Sequence, residues 1–156
     1  MPRIQLDLPE KFRFATEISV RITDINYGGH LGNDAVLSLL HEARVRFFRQ
    51  HGYTEKDVEG VGIIMTDAAI VYRSESFYGD ALLVQVDVTD LQSRTCDIVY
   101  RVTNRESGRE VVRAKTGIAF FDYRARRLVE APSGFREKCE PLQGDAPRPV
   151  NRPHHQ

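Results

Sequence analysis

The sequence predicts an α+β fold in which an antiparallel sheet wraps one long central helix. Two observations carry this. A single segment sustains a 3.6-residue apolar period, and four later segments alternate or run apolar with turn residues between them. A helix with one apolar stripe, followed by strands with one apolar face, buries both by laying the sheet around the helix.

Taking the elements in order, Thr16 to Thr23 alternates cleanly and reads as a strand with Ile18, Val20 and Ile22 on one face. Residues from about 33 to 51 form the helix. Val36, Leu39, Leu40, Ala43 and Phe47 make one stripe, and Leu37 and Phe48 widen it, so a curved surface should grip this helix. Gly52 is placed for a left-handed cap. Strands follow at Gly62 to Tyr72, Ala81 to Leu91, Thr95 to Thr103 and Glu110 to Tyr123. Leu82, Val84, Val86 and Val88 face one way, as do Cys96, Ile98, Tyr100 and Val102. The turn sequences Tyr78-Gly79-Asp80 and Asn104 to Gly108 separate them. Beyond Pro132 the periodicity lapses and prolines gather. The expected organisation is one domain over residues 1–135 and a polar, Pro-rich, partly disordered tail over 136–156, ordered at best near Phe135.

The 156 residues suffice for one domain with a proper core, and 41% hydrophobic with 28% charged residues is a globular composition. Lys plus Arg (22) balances Asp plus Glu (22), so no basic field attracts nucleic acid or an anionic membrane. No apolar run approaches the ~20 residues of a membrane span. Met1 to Asp7 lacks the apolar core of a secretion signal. Cys96 and Cys139 are too few for a disulfide framework or a metal cluster, and His154-His155 reads as terminal sequence and not as a metal site. The expectation is a cytoplasmic protein with no metal and no cofactor.

The stretch from Val20 to Asp34 is the richest in chemistry. A strand pattern runs into Asp24, Asn26 and His30 within a turn containing Gly28, Gly29 and Gly32, and the helix opens immediately after. Backbone N–H groups of a first helical turn have no intrahelical partner and can receive negative charge. The three glycines allow positive φ and close approach to a ligand. The plainer reading is a capped helix with Asn33 or Asp34 as N-cap.

Asp24-Ile25-Asn26-x-x-Gly29-His30-Leu31-Gly32-Asn33, followed on the helix by Glu42-Ala43-Arg44, resembles the signature of hot-dog-fold thioesterases of the 4-hydroxybenzoyl-CoA thioesterase-like family. Tyr72-Arg73-Ser74 and Tyr78-Gly79-Asp80 continue the similarity, which covers most of residues 15 to 135. The resemblance implies a hot-dog fold, hydrolysis of an acyl-CoA to a carboxylate and free CoA, and assembly into homodimers or homotetramers with sites at the subunit interface. An unpaired edge strand points the same way, with Phe120 and Phe121 taken as apolar residues near an edge. One position departs from the pattern: Asn26 stands where many relatives carry the catalytic aspartate.

The candidate residues divide accordingly. Asp24 reads first as a turn-stabilising carboxylate bonded by backbone N–H groups, and second as a catalytic group. Asn26 cannot act as a base, but it can orient water or bond a thioester carbonyl. His30, an imidazole, suits protonation of a leaving thiolate. Glu42 reads either as an i, i+4 ion pair with Arg46, worth ~0.3–0.5 kcal/mol, or as the helix carboxylate that activates water; with Asn26 unable to do so, it is the first candidate base. Asp34 is the second, better explained by the helix dipole. The resemblance places the Asn33 backbone N–H on the thioester carbonyl, and Gly29 lets the backbone approach the substrate. Arg73, Arg94, Arg101 and Arg113 are candidates for the CoA phosphates. Two rival readings stay open: a non-catalytic acyl-CoA-binding module, and a hot-dog dehydratase or hydratase.

Overall fold

The computed structural model describes residues 3–141 and shows the predicted layering. Strands β1 (Phe14–Ser19), β2 (Gly62–Tyr72), β3 (Ala81–Thr89), β4 (Thr95–Asn104) and β5 (Glu110–Asp122) form an antiparallel sheet in the order β1-β3-β4-β5-β2. A two-residue strand β6 (Arg127–Leu128) pairs with the end of β5. Helix α1 (Asn33–Gln50) lies against one face of the sheet.

The alternating residues land where their period puts them. Leu82, Val84, Val86 and Val88 are buried, as are Cys96, Ile98, Tyr100 and Val102, and all join Val36, Leu39, Leu40, Ala43, Phe47 and Phe48 of α1 in one core. Gly52 takes φ 79° just past the helix end, as a left-handed cap requires. Leu37 is a correction: it is 43% exposed, and Arg44 is the further buried residue of the helix. The Arg44 guanidinium donates to Glu55 Oε1 at 2.7 Å and to the Tyr100 hydroxyl at 3.2 Å. Tyr100 in turn bonds Thr116 Oγ1 at 2.8 Å. A buried charge is tolerable only when paired and hydrogen-bonded in this way.

Three further expectations change. The first strand ends at Ser19, and Ile22–Asp24 is a 3-10 turn. Val20 bonds the Gly79-Asp80 turn through both its N–H and its carbonyl, and Asp24 Oδ2 accepts the Arg21 N–H at 2.8 Å, which closes the chain into a turn. Ile22, expected on the buried face, is 66% exposed. The second change is a helix α2 (Ser133–Cys139), so the packed chain continues through Cys139 and not to 135. Phe135 and Cys139, one turn apart, are both buried, and the Phe135 ring meets Phe120 edge-on with centroids 5.0 Å apart. Burial pushes the Cys139 thiol up to about 12, so it stays protonated. The rest of the expected tail, from 142 on and including His154-His155, lies outside the described residues. The third concerns the edge. Phe120 is fully buried and Phe121 partly so; an exposed edge segment is Met65 to Ala68 in β2, at a bulge between Met65 and Asp67.

Candidate active site

The loop between β1 and α1 is built by its own hydrogen bonds. Asn26 Oδ1 accepts the Gly28 N–H at 2.9 Å, while the Asn26 N–H donates to His30 O at 2.9 Å. Gly29 has φ 86°, the one residue of this loop in the left-handed region; Gly28 and Gly32 do not need it. Ile25 and Leu31 bridge, the Gly32 N–H donates to Asp24 O at 3.0 Å, and the Leu31 N–H donates to Ser76 O at 2.8 Å. The loop is therefore tied to itself and to the segment after β2.

This ties down the start of α1. Gly32, not Asn33 or Asp34, is the N-cap, and no side chain caps the helix. The Asn33 N–H has no acceptor among the described residues. Asn33 itself lines a groove of about 240 Å³, together with His30, Val36, Tyr72, Glu75 and Ser76 among others. The Tyr72 hydroxyl donates to Asn33 O at 3.4 Å across one end. His30 is half-buried with Nδ1 3.4 Å from Leu31 O, an arrangement in which an Nδ1–H leaves Nε2 as a free acceptor.

Of the predicted residues, His30 and Asn33 come together in this groove. Asp24, Asn26, Gly29 and Glu42 do not line it. Asp24 is buried behind the loop, and its donors are Arg21's N–H and guanidinium instead of the turn's later N–H groups. Burial alone would raise this carboxyl, but the bonds and charge of Arg21 outweigh burial and hold it below the usual carboxylate range. Asn26 is exposed, with its carbonyl oxygen committed to Gly28. Glu42 accepts from Arg46 Nε at 2.9 Å with its side chain 53% exposed. At about 100° per residue, nine residues turn it to the opposite side of the helix from Asn33.

Two groove residues have no signal in the sequence pattern. Glu75 and Ser76 fall between a strand end and a turn, in a stretch without period, and only the loop packed opposite selects them. Nearby, Arg73, Arg101 and Arg113 converge on Glu110 at 3.5, 3.6 and 2.6 Å. The hydrogen bond from Arg113 holds the Glu110 carboxyl below its ordinary range against the effect of burial. Three cations on one anion leave a local positive excess, and Arg73 also lines the groove. Arg94 stands apart, its carbonyl accepting the Phe120 N–H at 2.9 Å. Among the described residues no three metal-ligating side chains cluster, and no helix is long and apolar enough to cross a membrane.

A sheet curved around one helix, with a groove at that helix's uncapped N-terminus, defines a hot-dog-fold protein. The family model for the thioesterase-like superfamily matches residues 20–139, and the chain belongs to that superfamily. Solved structures agree in fold. A 1,4-dihydroxy-2-naphthoyl-CoA thioesterase from Synechocystis is 21% identical, with 79% of this chain and 92% of that one covered and a TM-score of 0.72. A protein from Aquifex aeolicus is 20% identical over 81% and 99% of the two chains, with a TM-score of 0.74. A gentisyl-coenzyme A thioesterase is 14% identical over 79% and 99%, with a TM-score of 0.70. Comparison with curated proteins finds no match.

Proposed function

We propose that this protein hydrolyses an acyl-CoA thioester to a carboxylate and free CoA in the groove at the start of α1. The observation that carries the reading is the Asn33 N–H at the head of an 18-residue helix, without an acceptor among the described residues, on a residue that lines that groove with His30 and Glu75. The helix end and its N–H favour negative charge on the carbonyl oxygen as water adds. The new bond joins water oxygen to the carbonyl carbon, and the C–S bond then breaks. A carboxylate takes the water proton and passes it to His30 Nε2, the free acceptor, and His30 then gives that proton to the departing thiolate. Glu75 is the carboxylate within the groove and takes the role of base; Glu42 reaches a groove only if a second copy presents its helix there. Arg73 supplies positive charge at the groove for the CoA phosphates.

The same reading includes a homodimer or homotetramer. The outer edge of β2 pairs with nothing among the described residues, and Met65 to Ala68 along it are exposed; a second copy would satisfy those backbone groups. A reducing, cytoplasmic location suits Cys96 and Cys139, both buried as free thiols.

The exposed, turn-committed Asn26 favours one rival, a module that binds acyl-CoA without cleaving it. Free-thiol release from a panel of aliphatic and aromatic acyl-CoAs, run beside light scattering, separates the two. Turnover of at least one thioester by an oligomer is expected. Tight binding without thiol release means the binding module, and a monomeric mass at micromolar concentration removes the edge-pairing assembly.

A further inference from the structure

One exposed aromatic ring belongs to the groove. Tyr72, the last residue of β2, is 50% exposed, and of the large apolar side chains exposed among the described residues it alone lines the groove. The other apolar lining residues, Leu31, Val36, Val111 and Val112, are each 7% exposed or less. Singly exposed tyrosines such as Tyr27 and Tyr78 need no explanation. The one open apolar side chain of a groove does, because an apolar group of a ligand can leave water there.

Its direction follows from strand geometry. Ile70, two residues earlier, packs against the core, and alternate residues of a strand share a face, so Tyr72 leans to the helix side. The Tyr72 hydroxyl accordingly donates to Asn33 O at 3.4 Å, spanning from the sheet to the first turn of α1. Arg73 turns the other way, with its Nε 3.5 Å from Glu110 Oε1. The two neighbours thus present a ring on one side of the groove and a charge on the other. A thioester has two arms. With its carbonyl at Asn33, the phosphate-bearing CoA arm goes with Arg73 and the acyl arm is left with the ring.

We propose that the Tyr72 ring receives the acyl group, which makes Tyr72 the residue that selects an apolar acyl chain over acetyl. This rests on the thioesterase reading above. Each methylene moved out of water against the ring is worth up to about fourfold, ~0.8 kcal/mol, so butyryl-CoA should exceed acetyl-CoA by about tenfold in kcat/KM. The contact is the same before and during reaction, so the preference belongs to KM and not to kcat.

The test measures the butyryl-to-acetyl ratio of kcat/KM in wild type, Tyr72→Phe, Tyr72→Ala and Tyr78→Ala. Wild type should show about tenfold, and Tyr72→Ala should fall to within about twofold of unity through KM. Tyr72→Phe keeps the ring and should keep the ratio, as should Tyr78→Ala, which removes an exposed tyrosine outside the groove. An unchanged ratio in Tyr72→Ala, or no preference in wild type, overturns the role of Tyr72 and leaves the thioesterase reading standing. A ratio lost in Tyr72→Phe assigns the effect to the hydroxyl, and one lost in Tyr78→Ala assigns it to general disturbance; either overturns the ring contact. If wild type releases no thiol, binding is measured with CoA ketone analogues carrying CH₂ in place of sulfur and a methyl or propyl group on the carbonyl. A propyl preference of about tenfold, ~1.4 kcal/mol, that disappears in Tyr72→Ala supports the contact. Equal preference in wild type and Tyr72→Ala overturns it, and no binding by wild type overturns both the contact and the reading beneath it.

Discussion

Asn26 and Gly28 are joined by a 2.9 Å bond from the glycine N–H to the asparagine Oδ1, and this bond shapes the loop that places Asn33. The residue standing where relatives carry an aspartate is thus a turn-former in this chain, since an Asx side chain bonded two residues on mimics a backbone turn. Aspartate can accept the same bond. Asn26→Asp is expected to fold normally and to hydrolyse thioester at the wild-type rate or faster. A large loss of kcat in a folded Asn26→Asp protein would show that the amide's N–H₂ contacts substrate.

Substituting the two carboxylates decides which one activates water. Glu75→Gln should lower kcat by ~10²–10⁴, the usual contribution of a positioned base, with little change in melting temperature. Glu42→Gln removes only an exposed ion pair with Arg46 and should cost ~0.3–0.5 kcal/mol of stability. If Glu42→Gln instead abolishes turnover and Glu75→Gln does not, the base comes from the helix of a second copy.

Acid should destabilise the fold through Asp24 and Glu110. Both carboxyls are held below their ordinary range when folded, so the unfolded chain binds protons first as pH falls. Their contribution is complete above the unfolded carboxyl values of about 4 and disappears as pH drops through the lower folded values. Melting temperature measured against pH should be level near neutrality and fall below about pH 4. Glu110→Gln should flatten part of that fall; an unaltered slope would exclude Glu110 as a source.

The chain end divides at Cys139. Truncation after Glu140 should preserve cooperative unfolding, because the helix α2 that covers Phe120 remains. Phe135→Ala should cost about 3–5 kcal/mol, as full-length aromatic truncations in cores do. A melting temperature within a degree or two of wild type for Phe135→Ala would mean that α2 does not belong to the core.

Particular residues show where the sequence was legible. Long repeats such as Leu82-Val84-Val86-Val88 fix a strand's face because each member adds to one period. Helix α1 was readable for the same reason, apart from Leu37, which is exposed, and Arg44, whose burial depends on Glu55 and Tyr100 standing opposite. Helix α2 has seven residues and offers only Phe135 and Cys139, too few to establish a period. Within the site, the Asp24 to Asn33 motif led to His30 and Asn33. It could not show Glu75 or Ser76, which meet the loop through a contact made 45 residues along the chain, Leu31 N–H to Ser76 O. Glu42 is suggested by its helix position and by the motif resemblance, and its partner Arg46 is visible in the same spacing.

The Arg44 guanidinium has a mechanical consequence for the groove. An all-apolar helix lying on an apolar sheet can slide along its axis at modest cost, since one methyl group replaces another. Arg44 cannot slide: a shift of one helical turn, about 5.4 Å, would carry its charge away from both Tyr100 and Glu55 and strand it. The guanidinium acts as a dowel between helix and sheet, and the first peptide of the helix, eleven residues upstream, inherits the position that the dowel sets.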